Sequence, residues 1–223
     1  MKKILAAVTS ILITNLALAI PYPDNNPKDM LIKQETSTGS KFSIDVAYLD
    51  KMLKDLSIHA KNYPVQFDSE SDKDKAIRDV KALDYTLSII NESPKSNPSM
   101  LLRQAQLNSI GHNLDVAGSA EKADKLFQSI IDITPENSLA NYYYGVFLAG
   151  SGQASKAIPL LHKAAAANLY DAYFSLGMAY LSMNNTPAAL ENLEKYKSFS
   201  ENTSNIDKII DAIKSGSFKV NRN

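Results

Sequence analysis

Three histidines are the residues of this chain best suited to acid–base or metal chemistry, because imidazole titrates near neutral pH and binds transition metals. They are His59, His112 and His162. No HxxxH or HExxH spacing and no paired acids surround them, whereas a metal site needs convergent ligands. We therefore predict three separate surface or groove histidines, with no metal and no cofactor.

A run of alternate carboxylates is the second candidate, since hard cations such as Ca²⁺ bind carboxylate oxygens. It comprises Asp68, Glu70, Asp72 and Asp74. The run lacks the loop glycine and the distal glutamate of a known calcium loop, and two lysines interrupt it. A solvated helix start is the preferred interpretation, with calcium as the alternative.

Motifs for nucleophilic or nucleotide chemistry do not occur in the sequence. There is no GxSxG, no P-loop and no GxGxxG, and Gly150-Ser151-Gly152 is typical of a turn between helices. No set of residues therefore supports catalysis, and we predict a protein that is not an enzyme.

The elements that position these residues are marked by a five-position code that occurs three times. A glycine is followed by a large residue three positions later, an alanine twelve positions later and a bulky residue sixteen positions later, and a large residue precedes it. The three occurrences are Ile110-Gly111, Leu114, Ala123, Phe127; Tyr144-Gly145, Leu148, Ala157, Leu161; and Leu176-Gly177, Tyr180, Ala189, Leu193. Such a code indicates an internal repeat of about 34 residues, in which small side chains let paired helices approach closely.

The repeat resembles the tetratricopeptide repeat (TPR). The similarity covers about residues 104–203, in GHNLDVAGSAEKADKLFQSIIDITP, YGVFLAGSGQASKAIPLLHKA and YFSLGMAYLSMNNTPAALENLEKY. Leu169 stands where the family has a closing proline, and Tyr196 replaces an alanine. The resemblance implies an all-α fold, a right-handed superhelical stack of antiparallel helical hairpins (an α-solenoid).

The organisation of the whole chain follows from the composition around these repeats. Residues 1–19 have a basic start, an apolar run and small residues before Ala19, which is typical of a cleaved signal peptide. An uncleaved anchor is the alternative. The remaining predicted segments are a flexible leader (20–41), degenerate N-terminal helical hairpins (42–98), three TPR-like repeats (99–203) and a C-terminal capping helix (204–216).

The amino-acid composition limits which cellular compartment and which classes of partner we expect. The chain has no cysteine, so disulfides and thiol chemistry are excluded. Signal cleavage would remove two of the 24 basic residues and none of the 24 acidic ones, leaving a net charge of −2. Without a basic excess, nucleic acid is not an expected partner. We predict a periplasmic or secreted protein with no membrane span after cleavage near Ala19.

The resemblance also implies a binding groove, because the first helix of each TPR pair lines the concave face. Residues spaced 3, 4 and 3 apart share one side of those helices. The candidate groove is Asn108, His112, Tyr142, Val146, Phe174, Met178 and Leu181. An apolar, aromatic groove is typical of partner binding. The alternative is that the N-terminal segments cover these residues and make them core.

The sequence thus predicts a non-enzymatic periplasmic scaffold that binds a peptide segment or a protein partner in this groove. A structural subunit of an envelope assembly (secretion, pilus or cell-wall machinery), acting through its convex face, is the alternative. The identity of the partner does not follow from the sequence.

Overall fold

The computed structural model describes residues 21–91, 97–200 and 203–218, so the predicted signal peptide lies outside the described residues. The described chain divides into two compact units, residues 21–127 and residues 128–218. We call them the first unit and the second unit. No helix within the described ranges combines the length and the apolar composition that a membrane span requires.

The described residues are mostly helical, as predicted. The first unit contains a short 3-10 helix, a hairpin of strands β1 and β2, and helices α1 to α3, and α4 continues from it into the second unit, which holds α5 to α9. Their bounds are Pro27–Met30 for the 3-10 helix, β1 Leu31–Thr36, β2 Gly39–Ile44, α1 Val46–Ala60, α2 Glu70–Asn91, α3 Pro98–Asn113, α4 Ser119–Ile133, α5 Ser138–Gly150, α6 Ala154–Ala166, α7 Asp171–Ser182, α8 Thr186–Phe199 and α9 Ser204–Lys214.

The segment before α1 differs from the expected leader. Its two strands pair antiparallel, with Leu31 opposite Ile44 and Thr36 opposite Gly39. Ahead of the hairpin, Tyr22 and Met30 are buried in the core of the first unit. The Tyr22 hydroxyl donates a hydrogen bond of 2.7 Å to Asp79 Oδ2 on α2. Tyr22 and Met30 therefore anchor the segment that we predicted to be a flexible leader, and no periodicity reveals them.

The helices of the first unit also begin differently from the predicted positions. We expected helical hairpins from residue 42 onwards, but Phe42 lies in β2 with 59% of its surface exposed, and Asp45 caps α1 by accepting from the Tyr48 amide. Ser69 caps α2, because its hydroxyl accepts from the Asp72 amide at 3.1 Å. An N-cap needs only one short polar side chain, and this stretch offers several.

The helical hairpins of the second unit form as the repeat code predicts. An added Cβ at Gly145 would meet the Leu161 side chain and the Ala157 carbonyl oxygen, and one at Gly177 would meet Leu193 and the Ala189 carbonyl oxygen. The two hairpins α5–α6 and α7–α8 thus have the same close contact. Gly111 departs from the code: its nearest neighbours are Ser119 and Val80, because α2 packs against this face of α3.

The chain reverses between helices at residues with a left-handed backbone. Asp115, Asn168 and Asn184 have φ values of 60°, 65° and 61°, and short polar side chains tolerate this conformation best after glycine. Gly216, the last residue of the predicted C-terminal capping segment, has a φ of 71° after α9. The apolar stripe of α9 packs on α7 and α8 through Ile206, Ile210 and Ile213.

Candidate functional site

The predicted groove residues of the first unit do not form an open surface. Asn108 has 1% of its surface exposed. Its side-chain amide donates to Asp84 Oδ1 at 2.6 Å and to the Gln104 carbonyl oxygen at 2.9 Å. His112 is half-buried on the same helix. Asn108 is therefore corrected from a partner contact to a core residue, because α2 covers its side of α3.

Asn108 belongs to a polar network centred on Asp84. Lys122 Nζ lies 2.7 Å from Asp84 Oδ2 and 2.6 Å from Ser88 Oγ. The side-chain amide of Gln104 donates to Asp84 Oδ1 and Ser88 Oγ at 3.1 and 3.0 Å. Each polar group here has a partner, so the network stabilises the packing of α2 against α3 and α4 and shows no group poised for chemistry.

The predicted groove residues of the second unit are split between core and surface. Leu181 is 7% exposed and lies in the apolar cluster with the isoleucines of α9. Phe174 and Met178 are half-buried and pack against the same cluster. Leu181 is thus corrected to a core residue, since α9 covers this end of α7. Tyr142 and Val146 are half-buried on α5.

A groove does exist in the second unit, but it is centred elsewhere. It lies where α5 and α7 begin and α8 ends, and its volume is about 390 Å³. We call it the aromatic groove. It includes Tyr142 from the predicted set and is lined by Leu139, Tyr142, Tyr143, Asn168, Leu169, Tyr170, Asp171, Tyr196, Phe199 and Ser200.

Stacked rings form one wall of the aromatic groove. The ring centroids of Tyr170 and Phe199 are 3.8 Å apart, with planes within 3° of parallel. Tyr173 stacks on Phe199 at 6.0 Å, and Phe174 packs against Tyr196 at 5.4 Å. Tyr170 and Phe199 remain 41% and 49% exposed. The wall is therefore a preformed aromatic surface that water still reaches.

The loop between α6 and α7 places Tyr170 at this wall. Asn168 takes the left-handed conformation, and the Leu169 amide then donates back to the Ala164 carbonyl oxygen at 3.1 Å. This closes the end of α6 in the manner of a helix C-cap. Leu169 occupies the position where the family pattern has proline, and Tyr170 follows it directly beside α7.

One carboxylate dominates the electrostatics of the groove. Asp171, exposed at the first residue of α7, is the only charged residue among those lining it. Burial, with a smaller contribution from the negative charge of Asp171, raises the pKa of Tyr142 to about 12. Tyr142 therefore stays protonated at physiological pH and can donate a hydrogen bond to a ligand.

The histidines do not converge on a site. His59 Nδ1 lies 2.9 Å from the Gln66 carbonyl oxygen, with its ring stacked on Phe67. His162 Nε2 lies 3.1 Å from the Tyr180 hydroxyl. Within the described part of the chain, no three His, Asp or Glu side chains are grouped as a metal ion would require.

The alternate carboxylates lie at the start of α2. Lys75 Nζ is 3.4 Å from Asp72 Oδ1, and Lys73 Nζ is 4.0 Å from Glu70 Oε2. These lysines balance the acids within the first turns of the helix, which is the arrangement of a solvated helix start.

Solved structures are similar to this chain in fold. The crystal structure of MamA matches with 21% identity and a TM-score of 0.55, covering 68% of this chain and 86% of that one. TTC0263, a thermophilic TPR protein of Thermus thermophilus, matches with 14% identity and a TM-score of 0.54, covering 76% and 92%. No family model matches the chain, and no curated protein matches it significantly. The chain has a TPR-like, all-α solenoid fold, which confirms the predicted fold class.

Of the residues that line the aromatic groove, the predicted set contained only Tyr142; those that it missed include Tyr170, Tyr196 and Phe199. Tyr196 carried a signal, since it replaces an alanine of the repeat pattern. Tyr170 and Phe199 lie at helix ends, outside the spacing that we used to choose groove positions.

Proposed function

We propose that this protein is a non-enzymatic periplasmic scaffold that binds a peptide segment or a protein partner in the aromatic groove of the second unit. The observation that carries the proposal is the exposed, stacked pair Tyr170 and Phe199 beside Tyr142. Aromatic side chains in a concave site are typical anchors of binding energy.

The arrangement of the groove favours binding over catalysis. Its polar groups are tyrosine hydroxyls, the side chains of Asn168 and Ser200, and one carboxylate. The lining includes no histidine, lysine or cysteine, the side chains that most often serve as the base or the activated nucleophile in covalent catalysis. A rigid aromatic wall loses little conformational entropy when a partner binds, so it supports affinity without loop closure.

The anchors in this proposal differ from those expected from the repeat spacing. Phe174 and Met178 contribute to packing against α9, so substituting them would damage the fold as well as any binding. Tyr170 and Phe199 are 41% and 49% exposed and lie outside the buried core, so we expect their substitution to disturb the fold less. They are the better sites for a functional test.

Affinity purification of the tagged full chain from its native envelope, followed by mass spectrometry, tests the proposal. We expect the wild type to capture a partner that the double variant Tyr170→Ser/Phe199→Ser does not capture. Direct binding of that partner to the purified proteins should show the same difference between wild type and double variant. The matched control is Tyr85→Ser, which removes an aromatic ring that is 71% exposed on α2. Capture that survives the double variant would favour a structural subunit acting through another face.

The proposed compartment has a separate test. Export with cleavage near Ala19 predicts a mature protein that begins at Ile20 and is released with the periplasmic fraction. N-terminal sequencing of the protein from that fraction checks both points, and retention of residues 1–19 in the membrane fraction would support the anchor alternative.

A further inference from the structure

The residues that line the aromatic groove include one acid, Asp171, and no lysine or arginine. Asp171 has no ion-pair partner among the described residues. Its carboxylate lies at the N-terminal end of α7, where the helix dipole favours a negative charge. The groove therefore presents an available carboxylate beside aromatic rings.

The lysines that accompany the groove residues in sequence are each engaged by an acid. Lys195 pairs with Glu191 at 2.8 Å, and Lys197 pairs with Asp207 at 2.6 Å. Lys163, on the helix before the Asn168 loop, pairs with Glu136 at 2.9 Å. No cation among the residues lining the groove compensates Asp171, so its charge is available to a ligand.

We propose that the groove binds an extended peptide segment that carries a lysine or arginine side chain, placing the cation beside Asp171 and the apolar stem of that side chain on the Tyr170–Phe199 wall. This inference rests on the proposed function and names the chemistry of its partner. A long cationic side chain suits such a site because its methylene stem is apolar while its head is charged. Cations are also attracted to the faces of aromatic rings.

The size and the polarity of the groove support this class of occupant. A volume of about 390 Å³ is near the lower end of the roughly 300–1,000 Å³ typical of small-ligand pockets, which is room for a few side chains. Tyrosine hydroxyls and Asn168 can hydrogen-bond a peptide backbone that crosses the rim. An acidic segment would be disfavoured, because Asp171 would repel it without a compensating cation.

Selection from a display library of random ten-residue peptides on the full chain tests the inference. We expect the selected peptides to be enriched in lysine and arginine, and the variant Asp171→Lys to lose that enrichment. Asp132→Lys is the matched control, since Asp132 is exposed on α4 and does not line the groove. Circular dichroism melts of each variant establish that it is folded.

A selected peptide then allows a quantitative measurement by fluorescence anisotropy. Replacing the basic residue of the peptide by norleucine should raise the Kd for the wild type about tenfold. A partly desolvated contact of a cation with aromatic rings and a carboxylate contributes a binding free energy of this order. The same replacement should weaken binding to Asp171→Asn less, because only the contact with the aromatic rings is then lost. Added salt should weaken binding to the wild type more than to that variant.

The outcomes separate this inference from the proposed function. Peptides that depend on Tyr170 and Phe199 but show no basic preference would overturn the charge assignment and leave the groove as a binding site. Equal basic enrichment on wild type and Asp171→Lys would also overturn it. Failure to select any peptide that depends on the groove would overturn this inference, while capture of a partner that depends on Tyr170 and Phe199 would still support the proposed function.

Discussion

The side chain of Leu161 fills the space that a Cβ on Gly145 would occupy, with 2.6 Å between that position and Leu161 Cγ. The same distance separates an added Cβ at Gly177 from Leu193 Cγ. The close packing of both hairpins in the second unit therefore depends on the absence of a side chain at glycine. The contact explains why glycine and a branched residue recur at fixed spacing.

Gly145→Ala should lower the free energy of unfolding, because Leu161 must shift to admit the new methyl group. We expect a cost of about 1–3 kcal/mol, the range for overpacking a well-packed site. Urea denaturation followed by circular dichroism measures it. Gly150→Ala is the matched control on the same helix: a Cβ there meets no atom within 4 Å. Equal stability of the two variants would contradict the close-packing account.

Asp84→Ala should destabilise the first unit, because it removes the acceptor shared by Lys122, Gln104 and Asn108. Leaving buried donors without a partner costs about 1–3 kcal/mol. Chemical denaturation of Asp84→Ala against Asp74→Ala, an exposed acid of the same helix, checks the prediction. If Asp84→Ala lowers the free energy of unfolding no more than Asp74→Ala does, the network contributes little to stability.

Asp79 should give the protein a pH-dependent stability. Burial raises the pKa of this carboxyl above its ordinary value of 3.8, although the hydrogen bond from Tyr22 opposes the shift. The folded state then holds the proton more tightly than the unfolded chain does. The stabilisation that comes from this tighter proton binding is fully present below pH 3.8. It is lost as the pH rises through the raised pKa of Asp79.

Asp79→Asn isolates that contribution, since the amide oxygen still accepts from Tyr22 but carries no charge. We expect the variant to be stabilised relative to wild type at pH 7, and the difference to shrink as the pH falls towards 4. Thermal melts of both proteins across this range measure it. A difference that grows on acidification would mean that the Asp79 carboxylate is favoured in the folded state.

Pro159→Ala should stabilise α6. Proline has no amide hydrogen, so an interior proline cannot donate to the carbonyl four residues earlier, which here belongs to Ser155. We expect a gain of roughly 1–3 kcal/mol, below the full penalty because the native helix has adapted to the ring. Pro187→Ala is the control, since Pro187 lies in the first turn of α8, where proline is tolerated. Equal effects of both changes on the melting temperature would contradict the explanation.

The hairpins of the second unit could be predicted from the sequence because their determinants repeat and are local. Gly145 and Leu161 belong to adjacent helices, and a one-faced pattern places both on the side where those helices meet. The C-terminal helix, predicted over 204–216 and observed as Ser204–Lys214, depends on equally local signals, a stripe of isoleucines and the terminal Gly216.

The candidate site depended on contacts that helical spacing does not contain. Periodicity tells which residues share a side of a helix, but it does not tell which neighbour covers that side. Asn108 became core because α2 packs over it, and Leu181 became core because α9 does. Tyr22 became an anchor although no pattern surrounds it.

The amino-acid sequence by itself determined the helical repeat, its close-packed glycines and the all-α class, since each depends on side-chain volume and spacing along one helix. The tertiary structure alone decided where the proposed binding groove lies. It joins Tyr170 from a loop with Phe199 from the end of α8, and it leaves Asp171 beside them without a counter-ion among the described residues. Such a site depends on where helix ends meet in space, which local sequence patterns do not specify.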